Sequence, residues 1–415
     1  MVVDLLDQSW SAMRHNRRRT FLTIRGMAWG IATVVLLLAY GQGFSQAIRN
    51  IFAHFGVQIM GVFPGRTSLE AGGAKAGVPV RLTLEDVDRI RDLVPMVRHI
   101  TPGVSINRAN VQRENRMYEF SVNGFNSSIQ YIRKLQMDAG RFYNAEEEVQ
   151  RARVAVLGSE AKVKLFAGRP VVGEDIRING MTFEVIGILE PKMQEGNNNN
   201  INSIVYIPFP TMSVLTDTRY LNAIWMEYEG TEYMKLENDV RSALADFHRF
   251  NSTDRRAVFI FNAMKNINNW EIITLCLRVL LAFIGTLTLG IGGVGLMNIM
   301  LVSVTQRTRE IGIIKALGAR SRDILLQFLA EALAITFAGG ALGIMVAYLV
   351  SWFAGSLPLY SLIAKNGEAA DIRLVISPLN LLISIGILMV VGVVSGMLPA
   401  IKAARLNPIE ALRYE

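Results

Sequence analysis

An uncharged apolar run from Val279 to Thr305 constrains this chain more than any other stretch. It is long enough to cross the hydrocarbon core of a bilayer, which takes about 20 apolar residues in a helix. A dense charged cluster follows it at once, formed by Arg307, Arg309, Glu310 and Lys315. The pattern predicts a membrane helix that ends abruptly in water beside a short amphipathic segment. We expect this junction to couple the membrane to a cytoplasmic partner.

The composition of the chain favours a membrane protein that also carries a polar domain. Hydrophobic residues make up 51% of the 415 residues and charged residues 19%, which is too apolar for an ordinary soluble protein. The net charge of +8 does not indicate binding to nucleic acid, because the basic residues gather beside apolar runs, where a positive-inside bias places them. A single cysteine, Cys276, excludes a disulfide within the chain.

We predict an α-helical membrane protein with four transmembrane helices and a large extracytoplasmic α/β (α+β) domain between the first and second spans. Lys and Arg are abundant in 14–25, 307–322 and 402–413, whereas the loop of 355–378 holds only two. This bias places both termini and the central junction in the cytoplasm. The predicted order is an amphipathic surface helix in 1–20, the first span and its stalk in 21–55, the extracytoplasmic domain in 56–268, the second span and its stalk in 269–305, a cytoplasmic segment in 306–320, the third span in 321–354, an outer loop in 355–378, the fourth span in 379–399 and a cytoplasmic helix in 400–415.

The second apolar stretch is longer than a bilayer requires. No proline interrupts it from about Trp270 to Thr305, so as a helix it would be roughly 50 Å long, against a hydrocarbon core of about 30 Å. We therefore expect it to protrude outward beside an extension of the first span. Pro399 is expected to end the fourth span.

Two local patterns stand out in the predicted extracytoplasmic domain. The pair Asn179-Gly180 predicts a tight hairpin, because both residue types accept the positive φ angles of that turn. Thr83, with Asp86 three positions later, predicts the capped start of a helix.

Motifs of enzyme chemistry are not found, and we predict no catalytic, cofactor-binding or metal-binding residue. Gly290, Gly292 and Gly295 have the spacing of a dinucleotide-binding motif, but they lie in an apolar span, where close helix packing is the expected reason. No Walker A sequence occurs, and the four histidines lack metal-ligand spacing. Glu331 lies inside the third span, either as a functional membrane carboxylate or as a near-interface carboxylate paired with a neighbouring helix.

Three stretches carry a resemblance to a known family. The MacB/FtsX superfamily of ABC transporter permeases, which includes LolC/E-like proteins, has a second-span and loop signature that resembles GGVGLMNIMLVSVTQRTREIGIIKALGARSRDILLQFLAEA. Its C-terminal segment is similar to PAIKAARLNPIEALRYE, and its periplasmic core domain is similar to VAVLGSEAKVKLFAG and IRINGMTFEVIGIL. Macrolide exporters of the family carry a fused N-terminal ATPase, whereas this sequence begins at the membrane. The resemblance therefore implies a separate ATPase subunit.

The resemblance also assigns a docking role to the segment after the second span. In this superfamily the matching segment is the coupling helix, which docks in a groove of the ATPase. By helical spacing we expect Ile311, Ile314 and Leu317 to fill an apolar groove. Charged side chains are expected at its rim. A helix that lies on lipid headgroups is the alternative. The residues that match the coupling helix are Thr308, Arg309, Glu310, Ile311, Gly312, Ile313, Ile314, Lys315, Ala316, Leu317 and Gly318, of which Arg309, Glu310 and Lys315 are the rim residues.

A second cytoplasmic helix is predicted near the C-terminus. Asn407 is a favoured N-cap residue, Pro408 suits the first helical position and Glu410 the third. Pro408, Ile409 and Glu410 are therefore candidates for a second contact with the ATPase. A simple anchor on the membrane surface is the alternative.

The resemblance implies a permease subunit in a bacterial inner membrane, with ATP and Mg bound by the separate ATPase rather than by this chain. A second permease chain is implied, with a homodimer favoured over a heterodimer, and a periplasmic adaptor and an outer-membrane duct are further candidates. ATP-driven motion would reach the outer domains and export or extract an antibiotic, a peptide, a lipoprotein or a lipid. Two alternatives remain open: a signalling regulator that activates an extracytoplasmic cell-wall hydrolase, and a membrane-anchored enzyme.

Overall fold

The computed structural model describes residues 17–70, 76–192, 194–195, 201–357, 364–365 and 371–412. The predicted surface helix of 1–20 lies outside the described residues up to residue 16. The helices are α1 (Arg17–Phe55), α2 (Leu84–Leu93), α3 (Ile129–Ile132), α4 (Ala145–Val149), α5 (Ser159–Phe166), α6 (Phe209–Met212), α7 (Tyr233–His248), α8 (Ala263–Gln306), α9 (Thr308–Ala316), α10 (Ser321–Ala354), α11 (Pro378–Ala404) and α12 (Pro408–Leu412).

The longest of the described strands is β2, with 17 residues. The strands are β1 (Ile59–Pro64), β2 (Val97–Arg113), β3 (Arg116–Phe125), β4 (Met137–Gly140), β5 (Val154–Leu157), β6 (Asp175–Ile178), β7 (Met181–Leu189), β8 (Gln194–Glu195), β9 (Ile204–Pro208), β10 (Ala223–Tyr228), β11 (Val258–Asn262), β12 (Ser356–Leu357), β13 (Ala364–Lys365) and β14 (Ile372–Arg373). The chain divides into two compact units. A helical unit comprises Met1–Gln46, Ile272–Leu357 and Ile372–Glu415, and a sheet unit comprises Ala47–Glu271 and Pro358–Asp371.

Four of the described helices, α1, α8, α10 and α11, are long and apolar enough to cross a membrane. α1 has 39 residues and α8 has 44. At 1.5 Å per residue these helices are about 58 and 66 Å long, roughly twice the thickness of a bilayer core. The predicted fold class of four spans with a domain between the first two is confirmed, and so is the excess length of the second helix.

The fourth span ends later than the sequence predicts. α11 does not stop at Pro399 but continues to Ala404, with the proline inside it. A proline removes one backbone hydrogen bond from a helix. Here Pro399, Ala400 and Ala403 are all buried, so packing on neighbouring helices outweighs that loss and the prediction that Pro399 ends the helix is wrong.

Glycines allow the membrane helices to pack closely. A Cβ atom added to Gly30 of α1 would lie 2.9 Å from Cδ1 of Leu289 in α8. A Cβ added to Gly343 of α10 would collide with the side chain of Ile31 and the backbone carbonyl of Ala28 in α1. Larger residues at these positions would therefore force the helices apart.

The three glycines with dinucleotide-binding spacing do not act together. Gly292 lies against the backbone of Gly26, where an added Cβ would be 3.1 Å from the carbonyl oxygen. Gly290 and Gly295 have no atom within 4 Å of an added Cβ. Close packing therefore explains only the middle glycine of the three, because an added Cβ at the other two would meet open space.

The sheet unit is built on a 10-stranded mixed sheet in the order β11-β1-β10-β2-β3-β9-β5-β7-β4, with β6 paired to β2 and β7. The pairs β3–β9 and β5–β7 are parallel. Apolar cores cover both faces, because successive residues of a strand point to opposite sides. On β9, for example, Val205 lies in one core and Tyr206 in the other.

Both local predictions for this unit are confirmed. β6 and β7 form an antiparallel hairpin, and its turn residues Asn179 and Gly180 have φ angles of 47° and 88°. At the start of α2, the backbone N–H of Thr83 donates a hydrogen bond of 2.7 Å to the carboxylate of Asp86.

Candidate functional site

α9 is a separate helix that begins one residue after α8 ends. The residue between them, Arg307, has φ −100° and ψ 11°, which interrupts the helix. At its other end α9 stops at Ala316, and the chain turns at Gly318, which has a φ of 98°. The N–H of Gly318 donates to the carbonyl of Lys315 at 3.1 Å, and the N–H of Ala319 donates to that of Ile314 at 3.2 Å. This glycine turn fixes the length of α9.

The inner face of α9 is buried in the core of the helical unit. Thr308, Ile311 and Gly312 are buried, and Ile311 is only 4% exposed. Ile311 belongs to an apolar cluster with residues of α8, α10 and α11, including Met300 and Phe328. The prediction that Ile311 fills a partner's groove is therefore wrong, because this side chain is used within the chain itself.

Lys315 is also used within the chain. Its ammonium group donates hydrogen bonds to the backbone carbonyls of Ala404, at 2.6 Å, and Leu406, at 2.8 Å. The last carbonyls of a helix have no partner inside the helix, and a lysine is a suitable donor for them. Lys315 thus caps the end of α11, and its predicted role as a rim contact is replaced by this structural one.

The outer face of α9 combines apolar and charged side chains. Ile313, Ile314 and Leu317 are exposed, and Leu317 is 84% exposed. Arg309 and Glu310 are exposed beside them. Ile314 and Leu317 are therefore accessible, as their predicted docking role requires, and Ile313 is exposed whereas Ile311 is not. Docking itself stays a prediction. A contiguous apolar surface flanked by charges is typical of a protein–protein contact.

The second predicted cytoplasmic helix packs beside α9. α12 runs from Pro408 to Leu412 and contacts α9. The side-chain carbonyl of Asn407 accepts a hydrogen bond from the N–H of Ile409 at 3.2 Å, so the predicted N-cap is confirmed. Ile409 is 71% exposed and Glu410 is also exposed. The structure thus brings the two predicted contact segments together in one surface.

Glu331 is paired with the charged junction. Nη1 of Arg307, between α8 and α9, lies 3.3 Å from Oε2 of Glu331 in α10. Glu331 is only 8% exposed. Of the two interpretations of this carboxylate, the paired one is confirmed, and its partner belongs to the junction itself. No sequence spacing links the two residues, since their pairing depends on how α10 packs against the α8–α9 junction.

The order of the membrane helices, the inserted domain and α9 along the chain defines the class of this protein. It is a multi-pass membrane protein whose extracytoplasmic domain lies between its first two spans, with a short helix, exposed on one face, directly after the second. The model of the MacB-like periplasmic core domain matches residues 20–243, and that of the FtsX-like permease C-terminal matches residues 282–408. The chain belongs to the MacB/FtsX family of ABC transporter permeases, as its junction sequence predicts.

Curated relatives of this chain are named as exporters. The macrolide export ATP-binding/permease protein MacB of Bdellovibrio bacteriovorus is 31% identical over 100% of this chain and 62% of its own length. The pyoverdine export ATP-binding/permease protein PvdT of Pseudomonas entomophila is 32% identical over 100% of this chain and 60% of its own length. The chain thus spans about three fifths of these relatives, within a family of ABC exporter permeases.

A solved structure also resembles part of the chain. The periplasmic region of MacB from Actinobacillus actinomycetemcomitans is 19% identical, with a TM-score of 0.43. The match covers 54% of this chain and 95% of that one.

Proposed function

We propose that this chain is the permease subunit of an ABC exporter, and that a separate ATPase docks on the outer face of α9. The observation that carries the proposal is the exposed apolar surface of Ile313, Ile314 and Leu317, which lies directly after a membrane helix and is flanked by Arg309 and Glu310. Apolar side chains at the centre and charges at the rim are what an ATPase groove would accept.

The remaining parts of the transporter follow from this assignment. Both termini and α9 lie in the cytoplasm, ATP and Mg are bound by the ATPase, and two permease chains pair, as a homodimer in the simplest case. ATP binding and hydrolysis by the docked ATPase move α9, and the long helices α1 and α8 transmit the motion to the extracytoplasmic domain. A periplasmic adaptor and an outer-membrane duct would complete the export route.

Export is favoured over regulation of a cell-wall hydrolase because the relatives described above are named for macrolide and pyoverdine export. The proposed cargo is accordingly a bulky small molecule that is released outside the inner membrane. An antibiotic fits that description better than a peptide, a lipoprotein or a membrane lipid.

The docking assignment is tested by Leu317→Asp in the full chain, coexpressed with the ATPase that copurifies with it. A carboxylate at the centre of an apolar contact should weaken binding by at least about a hundredfold and abolish stimulated ATP hydrolysis. The matched control is Val163→Asp, since Val163 is 67% exposed on α5 of the sheet unit. Unchanged copurification and turnover of Leu317→Asp would contradict the proposal.

A second variant separates docking from folding. Because Ile311 is buried within the chain, Ile311→Ala should lower thermal stability without selectively weakening the ATPase contact. Glu310→Lys should instead weaken the ATPase contact without lowering thermal stability, because Glu310 is exposed and its charge would face the partner. If Ile311→Ala alone abolishes ATPase binding in a stably folded chain, the assignment of the outer face is wrong.

A further inference from the structure

A pocket of about 640 Å³ lies between the C-terminal ends of α8 and α11. Its apolar part is lined by Met297 and Leu301 of α8 and by Leu398 and Ile401 of α11. Leu406 is a further apolar lining residue, and the polar lining residues are Lys402, Arg405, Asn407 and Glu410. We call it the α8–α11 pocket.

Along the C-terminal part of the chain, the lining of the α8–α11 pocket changes from apolar to mainly polar, with Leu406 as the one apolar lining residue after the cations. On α11 the apolar lining residues Leu398 and Ile401 come first along the chain, and the cations Lys402 and Arg405 follow at the helix end. Both cations are exposed. Two cations against the single carboxylate of Glu410 leave the mouth positively charged. The transition from apolar wall to basic mouth coincides with the end of two membrane-spanning helices.

We propose that the α8–α11 pocket binds an anionic phospholipid. The apolar wall suits an acyl chain, and the two cations suit a phosphate-bearing headgroup at the membrane surface. A basic pocket between membrane helices at this depth is the chemistry that binds acidic headgroups. A zwitterionic lipid could use the wall, but its headgroup would gain less from the cations.

The bound lipid would stabilise the end of α11, to which α9 is hydrogen-bonded. Lys402 and Arg405 flank the carbonyl of Ala404, which accepts the hydrogen bond from Lys315 of α9. Glu410, which also lines the pocket, belongs to α12. The lipid would therefore touch the ends of α8 and α11 and the start of α12 together. Lipid composition would then influence how firmly α9 is held, whichever partner α9 contacts.

The test is a titration of the purified full chain in detergent with dioleoylphosphatidylglycerol, followed by native mass spectrometry. We expect a first anionic lipid to bind with clear preference over dioleoylphosphatidylcholine. Lys402→Gln with Arg405→Gln should weaken that binding roughly thirtyfold, as expected for two cations near an anionic headgroup. Phosphatidylcholine binding should change little in the same variant.

Two controls keep the outcome specific to the pocket. Arg309→Gln with Arg322→Gln removes the same charge from exposed positions outside the pocket and should leave phosphatidylglycerol binding intact. Leu301→Trp fills the apolar part without changing any charge and should weaken binding of the acyl chain. Thermal unfolding of each variant identifies any loss that is due to misfolding.

Three results would overturn the proposal. Equal affinity for the two lipids would remove the role of the cations. An equal loss in both charge variants would reduce the effect to overall surface charge. If the Lys402 and Arg405 variant instead turned a dimer into a monomer with unchanged lipid binding, the pocket would be an interface between two copies of the chain.

Discussion

Among individual residues, Arg307 and Glu331 form a contact that joins the α8–α9 junction to α10. A carboxylate at this depth is expensive unless a positive charge offsets it. The pair is partly open to its surroundings, since the Arg307 side chain is 27% exposed. Removing one partner should therefore lower the free energy of unfolding more than removing both.

A double-mutant cycle measures this interaction. We expect Arg307→Met to destabilise the chain by roughly 2 to 4 kcal/mol, because it leaves the carboxylate unpaired. The double variant Arg307→Met with Glu331→Leu should recover most of that loss. Denaturant unfolding of the detergent-solubilised chain provides the free energies. Strictly additive effects of the two substitutions would show that the pair has no energetic role.

Asp254 in the sheet unit is expected to make stability depend on pH. Burial by itself would raise its pKa, but hydrogen bonds from the Ser68 hydroxyl and from the backbone N–H groups of Ser68, Leu69 and Arg256 outweigh burial and lower the pKa to about 2. A lowered folded-state pKa means that the carboxylate stabilises the fold above its unfolded pKa of about 4. That contribution is lost as the pH falls through about 2.

Substitution of Asp254 should expose this dependence. At neutral pH, Asp254→Asn is expected to lower stability by roughly 2 kcal/mol, and the difference from the wild type should shrink between about pH 4 and pH 2. Unfolding of the full chain across that range provides the measurement, with exposed Asp92→Asn as the control. A constant difference across the range would argue against the lowered pKa.

At the element scale, Gly343 and Gly290 offer a matched pair of substitutions in membrane helices. Gly343→Ala places a Cβ against Ala28 and Ile31 of α1 and should cost roughly 1 to 3 kcal/mol through overpacking. Gly290→Ala meets no atom within 4 Å and should be neutral or stabilising by up to about 1 kcal/mol. Thermal unfolding in detergent compares them. Equal effects at the two positions would contradict the close approach of α1 and α10.

Sequence patterns predicted elements well where one local rule dominates. The Asn179-Gly180 hairpin and the Asn407 N-cap each depend on residues within a few positions, and both are present. Sequence patterns were misleading where packing against other helices determines the end of a helix or the burial of a side chain. Pro399 lies inside a helix, and Ile311 points into the chain's own core rather than outward. Helical spacing shows which residues share a face, but not which neighbour covers it.

At the scale of the whole molecule, the topology predicts which surfaces a reagent can reach. In a Cys276→Ser background, Ser252→Cys in the sheet unit should react with a membrane-impermeant maleimide in spheroplasts. Arg322→Cys, at the start of α10, should react only after the membrane is permeabilised. Both positions are exposed, so burial does not decide the outcome. Labelling of Arg322→Cys in sealed spheroplasts would reverse the proposed orientation.

The domain order was predictable, whereas the internal order of the sheet was not. Runs of apolar residues and the distribution of Lys and Arg are properties of single segments, and they are sufficient to place four spans around one inserted domain. The sheet order instead depends on pairings between distant strands. β3 lies parallel to β9, with Ser121 beside Ile204. No local pattern specifies such a partner, because it depends on how both faces of the sheet are covered.

The bonds of Lys315 have a consequence for the order in which the chain is made. Its partner carbonyls in Ala404 and Leu406 lie 89 and 91 positions later in the sequence. A ribosome therefore synthesises α10 and α11 in the interval between the lysine and its acceptors. The hydrogen bonds that hold α9 against the end of α11 can form only when the last membrane helix has been made and inserted. In a nascent permease that has not finished insertion, α9 therefore lacks these two bonds.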